Sequence, residues 1–219
     1  MEPVGEYQKE QLETLIMVEK ACRRLAPRDQ ARLMAALNDY LHFRTKLSRF
    51  LKRHFSSVCN QTCFQSHLSA CCSKEGIITF FGDMAVNVAL SKPSDIERLQ
   101  QRLRKENDGQ RCIYLGSAGC LWQMKPIVCE MFLCDSAQKE IFAADPALKK
   151  KWQAFKKRRK DFTWPDKPVL FDWLEKFFMD AGVRSPLMYL NTSPGLLRVK
   201  KKAEKTFNEA AGKGVAPID

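Results

Sequence analysis

Eight of the nine cysteines lie between Cys59 and Cys134, and this clustering limits the architecture more than any other feature of the chain. Their order is Cys59-x3-Cys63-x7-Cys71-Cys72, a gap of 39 residues, then Cys112-x7-Cys120-x8-Cys129-x4-Cys134. The opening residues MEPVGEYQKEQ carry neither the basic nor the apolar stretch of a secretory signal. The expected compartment is therefore reducing, the cytoplasm. A disulfide framework is disfavoured there, and an odd cysteine count fits one poorly. Cys22 stands apart on a helical pattern and reads as a small hydrophobe. The clustered thiols read as ligands or redox groups.

Soft thiolates select zinc, copper(I) or iron–sulfur centres, and four complete a tetrahedral site. Eight could serve two such sites. The spacing matches neither the paired CxxC of common zinc ribbons nor the C-x2-C-x2-C run of bacterial ferredoxins. A CxxxCxxC segment is also missing, because Ser66 occupies its third position. On one straight helix Cys59 and Cys71 would stand about 18 Å apart, so a folded-back loop is required for them to share an ion. Adjacent side chains in extended backbone point apart, so Cys71 and Cys72 are expected to face different metals or opposite sides of one cluster.

The same residues carry a resemblance. Cys59, Cys63, Cys71-Cys72, Ile77, Cys112-Ile-Tyr-Leu115, Cys120, Lys125-Pro126, Cys129, Phe132 and Cys134 follow one another as in the YkgJ-like family of zinc- or iron-chelating cysteine-cluster domains. The likeness covers about a third of the chain. It departs where SHLSA precedes the Cys-Cys pair, where Lys125 stands for a common Arg, and where Cys129 and Cys134 are one residue further apart. The resemblance implies metal chelation by Cys59, Cys63, Cys71, Cys72, Cys112, Cys120, Cys129 and Cys134, with zinc or an iron–sulfur cluster as the cofactor.

Around this core the sequence reads as mainly α, with a small irregular or short-stranded cysteine-rich centre. Residues 1–57 are expected to form a helical hairpin, with apolar stripes through Leu12, Leu15, Ile16, Cys22 and Leu25 and through Leu33, Leu37, Tyr40, Leu41, Leu47 and Leu51. Pro27 can open the second helix. Residues 58–144 form the cysteine core. Within it, Gly76–Gly82 reads as a short strand or the approach to a turn, and Asp83–Leu90 as a second strand or helical turn. Ser94 with Glu97 suggests a capping box for a helix that buries Ile96, Leu99 and Leu103. Ile127–Phe142 reads as one helix bearing both Cys129 and Cys134. Residues 145–210 form a basic helical extension, with starts at Asp145-Pro146, Asp166-Lys-Pro168 and Thr192-Ser-Pro194 and a stop at Gly182. Residues 211–219 read as a flexible tail, and the whole as one compact domain.

Charge is uneven: segments 1–58, 59–134 and 135–219 contribute +4, +1 and +7 to the net +12. Thiolate ligands would offset part of that excess. The runs Lys149-Lys-Lys151, Lys156-Lys-Arg-Arg-Lys160 and Lys200-Lys-Lys202 could meet nucleic acid or an acidic protein, or could be solvated helix faces. Trp122 and Trp164 read as packing groups, with a stacking role only where exposed beside cations. His67 could replace a thiolate or stand behind the ligands, and Lys125 could donate to the sulfurs. Glu130 and Asp83 could orient ligands or act as acids, but read first as cap or surface groups. No P-loop, dinucleotide fingerprint or GxSxG element occurs, and no apolar run is long enough to span a membrane. The leading expectation is a soluble cysteine-ligated metal-binding protein. The alternatives are a metal-stabilised module binding RNA or another anionic partner, and a metal-dependent enzyme.

Overall fold

A computed structural model of the chain describes residues 5–64, 72–73, 78–107, 109, 111–164 and 166–212, apart from the side chains at 62–64 and 210–212. The candidate ligands Cys63 (its side chain) and Cys71, together with His67, Ile77 and the tail from 213, lie outside the described residues. The protein is mainly helical: ten α-helices and one two-stranded sheet occur among the described residues. None of the described helices is long and apolar enough to cross a membrane.

Helix α1 spans Glu6–Arg24 and α2 spans Pro27–Val58. Pro27 at the first position supplies the fixed φ and the missing N–H that a helix start tolerates. The second helix runs past the expected end near Arg53 and widens into a π-helical segment, Cys59–Phe64. The first helix rests on α3 (Phe81–Leu90) and α4 (Pro93–Leu103) rather than along α2. Its buried face includes Gln8, Gln11 and Thr14 as well as Leu15, Val18 and Ala21, while Ile16 is exposed. Other elements supply partners to these polar groups, except that Gln11 Nε2 has none among the described residues. Gln8 donates to Leu103 O at 3.2 Å and Lys105 O at 2.9 Å, covering carbonyls left over at the end of α4. Thr14 meets Ser185 at 2.7 Å.

Helix α3 replaces the expected strand or turn at its N-terminal end and through Leu90. Residues 81–88 are all buried, so no polar face remains to mark a helical period. Asp83 accepts from Phe80 N at 3.1 Å and caps the start. Helix α4 buries Ile96, Leu99 and Leu103 as expected, but it begins at Pro93 with Lys92 as N-cap, two residues ahead of the anticipated N-cap Ser94.

A short hairpin, β1 (Leu115–Gly116) and β2 (Gly119–Cys120), pairs Leu115 with Cys120 and Gly116 with Gly119. The expected single helix from Ile127 is divided into α5 (Ile127–Glu130) and α6 (Asp135–Ala144). Cys134 is the N-cap residue of α6, in extended backbone. Helices α7 (Pro146–Thr163), α8 (Leu170–Asp180), α9 (Tyr189–Thr192) and α10 (Pro194–Gly212) complete the chain. Asp145 accepts from Ala147 N at 2.9 Å to open α7. Gly182, at φ +84°, ends α8 in the left-handed region. The core joins Leu37, Tyr40 and Leu47 of α2 to Phe81 of α3, Trp152 of α7 and Phe178 of α8.

Candidate metal centre

Backbone pairing joins the Cys72 segment to the one that begins at Cys112. Cys112 N donates to Cys72 O at 2.7 Å, and Ser73 bridges to Arg111 beside it. The two cysteine-bearing halves are thereby joined backbone to backbone. Cys129 Sγ lies 3.9 Å from Ile78 O and donates to it. Cys120 and Cys129 each stand within electrostatic reach of Cys112, and Tyr7 of α1 faces both Cys112 and Cys129.

The local backbone is turned towards sulfur. The Tyr114 N–H faces the Cys112 thiol and the Trp122 N–H faces the Cys120 thiol, while the Leu115 N–H donates to the Cys112 carbonyl at 3.0 Å. Each sulfur thus meets an N–H two residues further along the chain. Amides so placed favour a thiolate over a thiol. Burial works the other way and pushes the Cys112 thiol up to about 11; Cys120 and Cys129 add like-charge repulsion. Burial also raises Cys120, while Lys125 counteracts it. Lys125 therefore stands near the Cys120 sulfur. A cation among these groups would relieve both the burial penalty and the mutual repulsion.

The loop bearing these thiols is held by polar groups on the helices. Arg102 Nε donates to Ile113 O at 2.8 Å, and Tyr114 Oη donates to Gln11 at 3.2 Å. Asn87 accepts from Met124 N at 3.2 Å, and Asp83 accepts from Ile127 N at 2.8 Å. Arg44, with a side chain 2% exposed, forms an ion pair with Glu130 and donates to Lys125 O. Cys129 is therefore flanked on one side by the Asp83 contact at Ile127 and on the other by the Arg44 contact at Glu130. Trp122 packs edge-on against Tyr114, with centroids 5.2 Å apart.

Asp83 and Glu130 thus act at the loop rather than as ordinary surface groups. Asp83 is buried, and burial pushes its carboxyl up to about 6 against the opposing effects of Ile127 N, Arg44 and Phe80 N. Gln11, Arg44 and Asn87 were not singled out by the sequence pattern. The one visible signal was polar side chains falling on otherwise apolar helix faces.

Other candidates stand differently. Cys59 sits at the C-terminal end of α2, where the helix passes into its π-helical turn. Cys134 Sγ meets Ser136 Oγ at 3.2 Å. Cys22 packs against the core, and burial pushes its thiol up to about 12, as suits a small hydrophobe. Trp122 is buried, whereas Trp164 is 44% exposed with Lys160 Nζ 5.1 Å from its ring centre.

Among the described residues, no three His, Cys, Asp or Glu side chains stand in a metal-holding arrangement. The donor chemistry at Cys112, Cys120 and Cys129 fits a soft metal, and further candidate ligands lie outside the described residues. Comparison of the chain with family models, curated proteins and solved structures gives no match.

Proposed function

We propose that the protein binds a metal through cysteine thiolates drawn from both halves of the cluster, holding zinc or an iron–sulfur centre. The observation that carries this reading is the pair of sulfurs, Cys112 and Cys120, each met by the backbone N–H two residues further along. Hydrogen bonds of this kind stabilise anionic sulfur and tune a bound centre. Cys129 and Cys72 are the nearest further donors, through the shared electrostatic neighbourhood and the Cys72–Cys112 backbone bond. Cys59, Cys63, Cys71 and Cys134 complete the proposed ligand pool, and the YkgJ-like resemblance favours the same set.

A zinc ion held only by sulfur would brace the loop, whereas an iron–sulfur cluster would supply electron transfer. The chain's own contribution is to collect the thiols, direct amides at them and set Lys125 nearby. Thiolate ligation also suits the reducing cytoplasm. Anaerobic purification with elemental and acid-labile sulfide analysis tests the proposal. Stoichiometric zinc in colourless protein, or iron with sulfide and absorption near ~400 nm, is the expected result. Joint Cys112→Ser and Cys120→Ser substitution should abolish that content, while Cys22→Ser should retain it. Protein lacking both metals, or unchanged metal content in the double variant, refutes the reading.

A second reading gains support from Trp164, which is exposed and has Lys160 over its face on the basic helix α7. Such a pairing could stack on single-stranded RNA. It predicts RNA retention that weakens steeply with salt and falls on Trp164→Ala. Salt-independent or absent retention rejects it.

A further inference from the structure

Helices α2 and α7 enclose a groove of about 470 Å³ on the side of the molecule formed by Asp39–Phe50 and Lys151–Arg158. Its lining positions recur at three- and four-residue intervals on both helices, so each helix gives one face to it. Phe43 and Phe50 are buried and Phe155 is half-buried, and together they make an aromatic floor. Phe155 lies 6.1 Å from Phe43 and 5.2 Å from Phe50, ring centre to ring centre.

The charge around that floor is net positive. Asp39 is the only carboxylate in the lining among the described residues, and it is already paired with Arg158. Lys46 and Lys151, one from each wall, are exposed and have no ion-pair partner among the described residues. An apolar floor with two unneutralised ammonium groups complements an amphipathic anion. The volume falls within the roughly 300–1,000 Å³ typical of small-molecule sites. From Asp39 to Phe50 the groove follows about 16 Å of helix, close to the length of an extended dodecyl chain.

We propose that this groove binds an amphipathic organic anion, laying an unbranched apolar chain on Phe43, Phe50 and Phe155 and its carboxylate within reach of Lys46 and Lys151. The site is separate from the cysteine cluster and does not depend on metal.

Calorimetric titration of the full-length protein with dodecanoate below its micelle concentration tests this, with dodecyltrimethylammonium as the same chain carrying opposite charge. Saturable binding of dodecanoate, with the cationic analogue at least tenfold weaker, is expected. Ala154→Trp fills the groove from an exposed helical position and should weaken dodecanoate at least tenfold. The Lys46→Glu/Lys151→Glu variant should invert the preference between the two amphiphiles, and far-ultraviolet circular dichroism establishes that each variant is folded. Equal affinity for both amphiphiles, no saturation, or folded variants that bind unchanged overturn the proposal. So does saturation of the groove by an acidic amphipathic helical peptide that dodecanoate does not displace.

Discussion

Gly82 lies where α3 approaches α8, and a Cβ built on it would stand 2.4 Å from Phe171 Cγ. The ring is buried between Tyr40 and Phe80, at 5.6 and 6.0 Å, so it has little room to withdraw. Gly82→Ala is therefore expected to destabilise the fold by about 1–3 kcal/mol despite alanine's better helix propensity, as measured by urea unfolding. Its neighbour Asp83 has the opposite problem, a polar group in a dry place. With its carboxyl pushed up to about 6 from 3.8, the folded state holds a proton over a range where the unfolded state has released it. The sign follows: this contribution is complete below pH ~4 and fades as pH rises towards 6. The stability of the native chain relative to Asp83→Asn should decline across that window by about 2–3 kcal/mol. A flat difference between the two pH profiles contradicts the assignment.

Elements reach the candidate centre through a few polar anchors. Arg44 is the clearest, since one guanidinium links α2 to Lys125 O and to Glu130, the residue after Cys129. Replacing it with Met keeps the bulk but leaves Glu130 without its cation. A loss of about 3 kcal/mol or more is expected, because breaking a buried pair costs more than omitting it. The stability loss alone could be structural. The distinguishing result is lower metal content in Arg44→Met measured at a temperature where it remains folded, with Lys156→Met on the exposed face of α7 as the unaffected control. The break between α5 and α6 belongs to the same scale. Periodicity favoured one helix through Phe142, yet residues 131–134 leave the helical path and Cys134 becomes an N-cap. Backbone N–H groups freed at that break need local partners, which periodicity alone does not count.

For the molecule as a whole, the helical core and the cysteine loop draw on different forces. Leu37, Tyr40, Leu47, Phe81, Trp152 and Phe178 belong to one apolar cluster that needs no ligand. The loop from Cys112 to Cys134 has short elements and depends on anchors from neighbouring helices. Removing the proposed metal with a chelator should leave most far-ultraviolet helical signal intact while changing the fluorescence of Trp122 beside Cys120. The melting temperature should fall by about 2–4 °C for each kcal/mol of lost metal stabilisation, and recover on restoring zinc or reconstituting the cluster. Global loss of helix on chelation contradicts this division.

The chain's pattern of apolar spacing, prolines and caps already determined α2, α4, α7, α8 and α10 to within a few residues, because each has one wet and one dry face or a strong start signal. Cysteine spacing likewise marked the loop that is proposed as the metal centre. Tertiary structure decided what periodicity could not. It made α3 a helix by burying it on every side, turned the Gln8–Gln11–Thr14 face inward by giving it partners, and divided the helix after Cys129. It also brought Arg44 and Asp83 to the loop. Such contacts join residues far apart along the chain, so their energy depends on distances that no local pattern contains.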